Sequence, residues 1–280
     1  MPIRMPPNPA QVETAFHKTH QVIWEKIDFP VKESFEEQYI RVLHYYRAAG
    51  HFVYDLDSRL YPAISQRLIE LIGTPSNPKI KDGGDVALSD CEEVDRVYYH
   101  FGGFLSAART AMELMPDLLL VGEDLPADGD GPPRAVTLLK EGKLAGLVSI
   151  DFEKRLVQDW NEWGKKLADY RNCIVHHRHF FLSHEVVAGF SENDLAMRCP
   201  IPDNPEAGPR GEFSFSRNLD VLGYSISALS QLGWLLHDTL GEIEKKWQSK
   251  PDLPIDPTWV DRTYITKLDE VLNPKDLKPD

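Results

Sequence analysis

The chain has 280 residues, 31 Lys+Arg against 44 Asp+Glu and a formal charge of −13. With 42% apolar and 10% aromatic residues it can bury a sizeable core in one or two globular domains, which excludes disordered, collagen-like and disulfide-stapled classes. No stretch approaches the ~20 apolar residues of a membrane span, and Met1-Pro2-Ile3-Arg4-Met5-Pro6-Pro7 is followed by no apolar signal region, so the expectation is a soluble, cytoplasmic protein without a membrane partner.

Residues 11–28 and 32–72 carry long polar–apolar patterns that predict two helical segments. Thr74-Pro75-Ser76-Asn77-Pro78 and Asp82-Gly83-Gly84-Asp85 then read as a loop. Ser89 and Glu92 have capping-box spacing, predicting a helix start at Ser89. The stripe Phe101, Leu105, Ala108, Met112, Met115 recurs in steps of three and four, and Pro116 is expected to stop it. From Pro116 to Pro133 the chain is acidic and rich in Pro and Gly, as a surface loop is. Asp124, Asp128 and Asp130 fail the register of a calcium loop, which needs alternating ligands, a glycine at the sixth position and a glutamate at the twelfth.

Asp151 is the expected N-cap of the best-defined helix, whose stripe is Phe152, Leu156, Trp160, Trp163, Leu167, Tyr170 and Ile174. Phe180-Phe181-Leu182 with Val186-Val187, Leu195-Ala196-Met197 and Phe213-Ser214-Phe215 follow as short extended pieces, predicting a small β-hairpin excursion. Leu222, Ile226, Leu229, Leu236, Leu240, Ile243 and Trp247 define a final helix ending near Lys250-Pro251, and an extended tail occupies 251–280. Cys91, Cys173 and Cys199 are an odd number at wide spacing with no Cys-x-x-Cys pair, which fits reduced, mostly buried thiols.

Chemistry concentrates in one place. Residues 151–180 hold six Lys/Arg (Lys154, Arg155, Lys165, Lys166, Arg171, Arg178) against five acids, a local reversal of the chain's charge that would steer an anionic ligand there if exposed. Within it, Asp169-Tyr170-Arg171-Asn172-Cys173-Ile174-Val175-His176 closes the stripe helix and His177-Arg178-His179 follows. An arginine fork holds two phosphate oxygens and stays charged, and a histidine can take or give a proton near neutrality. Together these two residue types could hold a phosphate and move a proton without a metal-activated water.

The Arg-Asn-x-x-x-His spacing at the end of an amphipathic helix resembles the signature of the HEPN superfamily of all-α domains, and Phe104-Leu105-Ser106-Ala107-Ala108-Arg109-Thr110-Ala111 looks like the helix such domains pack against it. Arg178 with His184 also matches the loose motif, but on a segment that reads as extended. The resemblance covers about 91–180 plus the C-terminal helix. It implies a mainly α helical bundle of HEPN type over 89–250, with 1–88 as an N-terminal helical extension, the hairpin between motif helix and C-terminal helix, and 251–280 as the tail. It also implies a metal-independent endoribonuclease without a cofactor, commonly a homodimer, in a defence or toxin–antitoxin setting where an antitoxin or regulatory protein neutralises it. Carried onto this chain, Arg171 and His176 are the catalytic pair, with Asn172, His177 and Arg178 as binding residues.

On an ideal helix with Leu167 at zero, Arg171 lies at about 40°, Asn172 at about 140° and His176 at about 180°. The pair does not share a face, so to cooperate either the last turn unwinds, Arg171 snorkels around the helix, or a second subunit brings its own copy across a two-fold axis, which is the favoured arrangement. Other readings of the same residues are a helix-end cluster in which Arg171 pairs with an acid and His176 meets the helix dipole, and a metal held by His177 and His179, with no third ligand at helical spacing. A second functional class is a catalytically inactive HEPN-like module that binds a nucleotide or a protein partner; a third is a purely structural dimer.

Overall fold

The computed structural model describes residues 9–26, 29–74, 77–78, 86–89, 91–121, 146–177, 185–191, 194–210 and 212–250. The chain is mainly α-helical with a small antiparallel sheet. Helix α1 spans Pro9–Lys26, and α2, Phe29–Asp55, continues through a π-helical turn, Leu56–Leu60, into α3, Tyr61–Ile72. Gly73 ends α3 at φ 87°, a conformation open to glycine, and its N–H donates to the Ile69 carbonyl. Short strands β1 (Gly73–Thr74) and β2 (Asn77–Pro78) pair next to it.

Strand β3 (Val86–Ser89) precedes α4 (Glu92–Leu120). The expected start at Ser89 is corrected: Ser89 pairs with Glu185 in the sheet, and the N-cap is Cys91, whose thiol donates to Glu93 Oε2 at 2.7 Å. Glu92, Glu93 and Asp95 occupy the first turn, where the helix dipole favours negative charge. Pro116 does not stop α4. An interior proline sacrifices a hydrogen bond at about 3 kcal/mol, yet Met115, Leu118 and Leu119 are buried, and Lys246 Nζ donates to the Leu119 carbonyl at 3.4 Å. Burial holds the last turn where propensity would end it.

The motif helix follows as α5 (Ile150–Asp159), a π turn (Trp160–Gly164), α6 (Lys165–Asn172) and a second π turn (Cys173–His177). Strands β4 (Glu185–Ser191) and β5 (Asp194–Arg198) form the expected hairpin, and β3 adds to it in the order β3-β4-β5. Phe213–Phe215 is not a strand. Its backbone bonds instead to a loop, with Asp203 N donating to Ser214 O and Ser214 N to Asn204 Oδ1. Helix α7, Val221–Gln248, closes the bundle. Of the surface loop expected over 116–133, residues 116–120 are helical instead and 122–133 lie outside the described residues, as do Phe180–Leu182 and the 251–280 tail.

One hydrophobic cluster runs from Val12 in α1 to Trp247 in α7, so residues 9–72 share their core with α4 and α7. Helix α2 lies along α4, and α1 along α7, where Thr19 Oγ1 reaches both its own Ala15 carbonyl and Leu240 O. Asp55, buried at the end of α2, faces Arg59 at 3.4 Å, His51 at 3.6 Å and His100 of α4 at 3.5 Å. The α2–α4 crossing is tight at Gly103, where a Cβ would lie 2.6 Å from the Phe52 ring. Gly103→Val is therefore expected to lower stability by about 1–3 kcal/mol through overpacking, and Phe52→Ala in the same chain should erase most of that increment in a double-mutant cycle read by urea unfolding.

Burial pushes the Asp117 carboxyl up to about 6, with Arg41 opposing the shift. The folded chain then binds this proton more tightly than the unfolded one, so stability falls as pH rises between about 4 and 6 and the penalty is complete above 6. Asp117→Asn is expected to raise Tm at pH 7.5 and to leave it unchanged near pH 3.5; equal shifts at both values would contradict this.

Candidate functional site

Ser149, not Asp151, caps the motif helix: its Oγ accepts from Phe152 N at 3.3 Å. The choice is tertiary, because Glu242 of α7 accepts from Ser149 N at 3.0 Å and pins that residue in place. Desolvation works against ionisation of Glu242, but bonds from Lys245 and Ser149 prevail and hold its carboxyl below the usual range. Asp151 and Glu153 occupy the first turn, where the dipole favours them.

The predicted stripe faces the core. Phe152, Leu167 and Tyr170 are buried, while Leu156, Trp160, Trp163 and Ile174 pack against the same cluster. Both π turns are features the 3.6 period does not disclose. The first ends at Gly164, where a Cβ would meet Met112 Sδ and Trp160 at 3.2 Å, so α4 and the motif helix approach closely. They meet again where a Cβ on Gly102 would lie 3.6 Å from Ile174. Phe101 of α4 lies edge-on to Tyr170 at 6.0 Å, and Tyr170 to Tyr224 of α7 at 4.8 Å. The stretch 104–111 thus belongs to a helix packed on the motif helix.

Arg171 and Asn172 close α6, both half-buried, with Arg171 Nη1 donating to Asn172 Oδ1 at a long 3.4 Å. Positions 176 and 177 fall in the second π turn, and the side chains of His176 and His177 lie outside the described residues, as does all of Arg178. A π turn bonds i to i+5 and advances less per residue than the about 100° of an α-helix. Backbone position 176 therefore lags behind its ideal-helix angle and comes round toward position 171, which narrows the separation expected from the sequence. Cys173, between them, is buried, and burial raises its thiol, so it packs as a neutral group.

A loop from Cys199 to Leu219 covers this end of the helix. Tyr170 OH donates to Pro202 O, and the 3₁₀ turn Pro205–Arg210 packs on α6 and on the second π turn. The next residue, Asp203, organises the loop: Ser214 Oγ, Ser216 Oγ and the Arg217 N–H all donate to its carboxylate. Desolvation opposes this charge, but those bonds outweigh it and hold the carboxyl below its ordinary range. Lys166 Nζ lies 5.7 Å over the Tyr170 ring. Burial raises Asp169, against the pull of Lys165 and Arg109 and with a push from Glu206. Lys166 was visible in the sequence as part of the basic segment; Arg217 and Asp203 were not, because only the loop's return brings them to the helix.

Among the described residues no group of three or more His, Cys, Asp or Glu side chains is placed to hold a metal, and no helix is long and apolar enough to cross a membrane. No family model, curated protein or solved structure matches the chain.

Proposed function

We propose that the chain is a HEPN-type, metal-independent endoribonuclease in which Arg171 stabilises charge on the scissile phosphate and His176 transfers the proton. The observation that carries this reading is the half-buried Arg171–Asn172 pair at the last α turn, followed at once by the π turn that bears position 176. Among the described residues the half-buried Arg171 guanidinium makes one side-chain hydrogen bond, long and to a neutral amide, so it has capacity left for an anion. Helix packing supports it further, since α4 and α7 fix the motif helix through Tyr170, the residue before Arg171. Since the π turn brings backbone position 176 toward position 171, this reading takes both groups from one protomer, alongside the homodimer that the resemblance implies.

The test is cleavage of single-stranded RNA by the purified chain with excess chelator present. Cutting is expected, and the Arg171→Ala/His176→Ala double variant should be inert while unfolding at the wild-type temperature. Undiminished cutting by the double variant would overturn the reading, and dependence on added metal would return attention to the His177 cluster. RNA binding without cutting by the wild-type chain is the outcome expected of a catalytically inactive module.

A further inference from the structure

We propose that His100 is the proton-sensitive half of a latch between α2 and α4: as an imidazolium it joins the Arg96 carbonyl to the buried Asp55 carboxylate, and loss of one proton above neutrality undoes the tie. This device is independent of the ribonuclease reading and stands or falls without it.

The geometry leaves the ring little choice. His100 Nδ1 lies 2.9 Å from the Arg96 carbonyl, one turn back on α4, and a carbonyl only accepts, so that nitrogen carries a proton. On the other side of the ring, Nε2 lies 3.5 Å from Asp55 Oδ2 across the helix crossing. An imidazole with a single proton must turn a lone pair on one of these two oxygens; only the imidazolium offers an N–H to both. The Phe52 ring stands nearly perpendicular to that of His100, at 85° and 5.8 Å between centroids, and is itself packed against Gly103. The imidazole is therefore held in place at the tightest part of the α2–α4 crossing.

Asp55 is only 8% exposed, so its charge is stabilised by neighbours more than by water. Arg59 Nη1 donates to its Oδ1 at 3.4 Å, and an arginine stays charged, so the carboxylate keeps a counter-charge when the histidines are neutral. His51 Nε2 approaches Oδ2 at 3.6 Å, but its side chain is 72% exposed, where an ion pair contributes little. Both of these partners belong to α2 and its π turn. Among the described residues, His100 alone carries the tie across to α4: the Arg96 guanidinium is taken by Glu92, Asp57 of the π turn is exposed, and no α3 side chain pairs with Asp55 or His100. A folded chain that favours a proton loses stability as pH rises. The tie is complete below about pH 6, where histidine is charged in the folded and unfolded chain alike, and it is lost above neutrality, where Asp55 keeps partners from its own segment only.

Thermal unfolding of the full chain at pH 5.5 and 8.5, at constant ionic strength, tests the latch against His100→Gln, which keeps a polar side chain that does not titrate. The variant is expected to unfold about 2–4 °C below the wild type at pH 5.5 and within about 1 °C of it at pH 8.5. Taking the difference between two chains removes the contribution of Asp117, which both share. In an Asp55→Asn background the pH-dependent part should vanish, and His51→Gln should stay within about 1 °C of the wild type at both values. A difference that is constant or grows with pH overturns the latch, as does one that survives Asp55→Asn or an equal effect from His51→Gln. The wild-type chain gives a second reading that needs no variant. Nitrogen-15 shifts of the His100 ring at pH 7, where a free histidine is mostly neutral, should show both nitrogens protonated, and a bare Nδ1 or Nε2 would overturn the assignment.

Discussion

Asp220→Ala is expected to lower the stability of the folded chain by about 3–5 kcal/mol, the largest loss of any single polar substitution in the loop that covers the motif helix. This carboxylate joins three parts of the fold. Its Oδ2 accepts from Gly223 N at 3.0 Å and so caps α7, while its Oδ1 accepts from Tyr61 OH at 2.6 Å and from Cys199 N at 2.8 Å. Tyr61 in turn accepts from Leu222 N at 3.1 Å, so the first turn of α7 is satisfied by both residues. Burial, then Cys199 and Asp220, push the Tyr61 phenol far up, so it stays protonated, as a donor to a carboxylate must; burial also pushes the Cys199 thiol up to about 12, while that residue's backbone N–H is what meets Asp220. Loss of an N-cap costs about 0.5–2 kcal/mol, and each buried donor left unpaired costs about 1–3 kcal/mol, which sets the range. Asp220→Asn keeps an acceptor for two of the three donors but turns an N–H on the third, so it should cost about 1–2 kcal/mol by the same reasoning. Tyr61→Phe combined with Asp220→Ala should be less than additive. Urea unfolding at neutral pH reads all of these, and a loss below 1 kcal/mol for Asp220→Ala would show that the joint is replaceable by water.

The same joint explains which parts of the fold the sequence discloses. The Phe152-to-Ile174 stripe is legible because burial on one face imposes a 3.6-residue period on the residues themselves. Caps are less so: Ser149 and Asp151 are both competent oxygens, and Glu242, far along the chain, decides between them. Pro116 misleads because local propensity is outweighed by the burial of Leu118 and Leu119. The π turns leave no periodic mark; each lies where the motif helix approaches α4 closely, at Gly164 and at Ile174, and such long-range packing is not written in a local pattern. At the candidate site, Arg171 and Asn172 are legible as neighbours in a spaced motif, whereas the folding of residues 214–217 back onto Asp203 is set by that residue's bonds, which no spacing announces. Phe213-Ser214-Phe215 alternates like a strand, but Asp203 and Asn204 take its hydrogen bonds first.

Single substitutions at the motif should separate the two chemical roles. On the proposed ribonuclease reading, Arg171→Ala removes a fixed charge that would meet the phosphate, an interaction that strengthens as the transition state gains negative charge, and losses of about 10²–10³ in rate are typical for such a donor. Arg171→Lys should restore charge but not the two-pronged geometry, leaving much of that loss in place. His176→Ala removes the proton-transfer group, for which about 10²–10⁴ is the usual scale. The double variant should be little slower than the worse single one, because each group has value only while the other acts. The chemistry itself supplies the strictest control. When the 2′-oxygen attacks phosphorus its proton must leave, the bond to the 5′-oxygen breaks, and that oxygen receives a proton; the products are a 2′,3′-cyclic phosphate and a free 5′-hydroxyl. An oligonucleotide with a single 2′-deoxy position at the cut site should therefore bind as tightly as its parent and remain whole at that site. Cleavage of the deoxy linkage at the parent rate would mean that water is the nucleophile, and a guanidinium with an imidazole at the end of α6 would no longer account for the reaction.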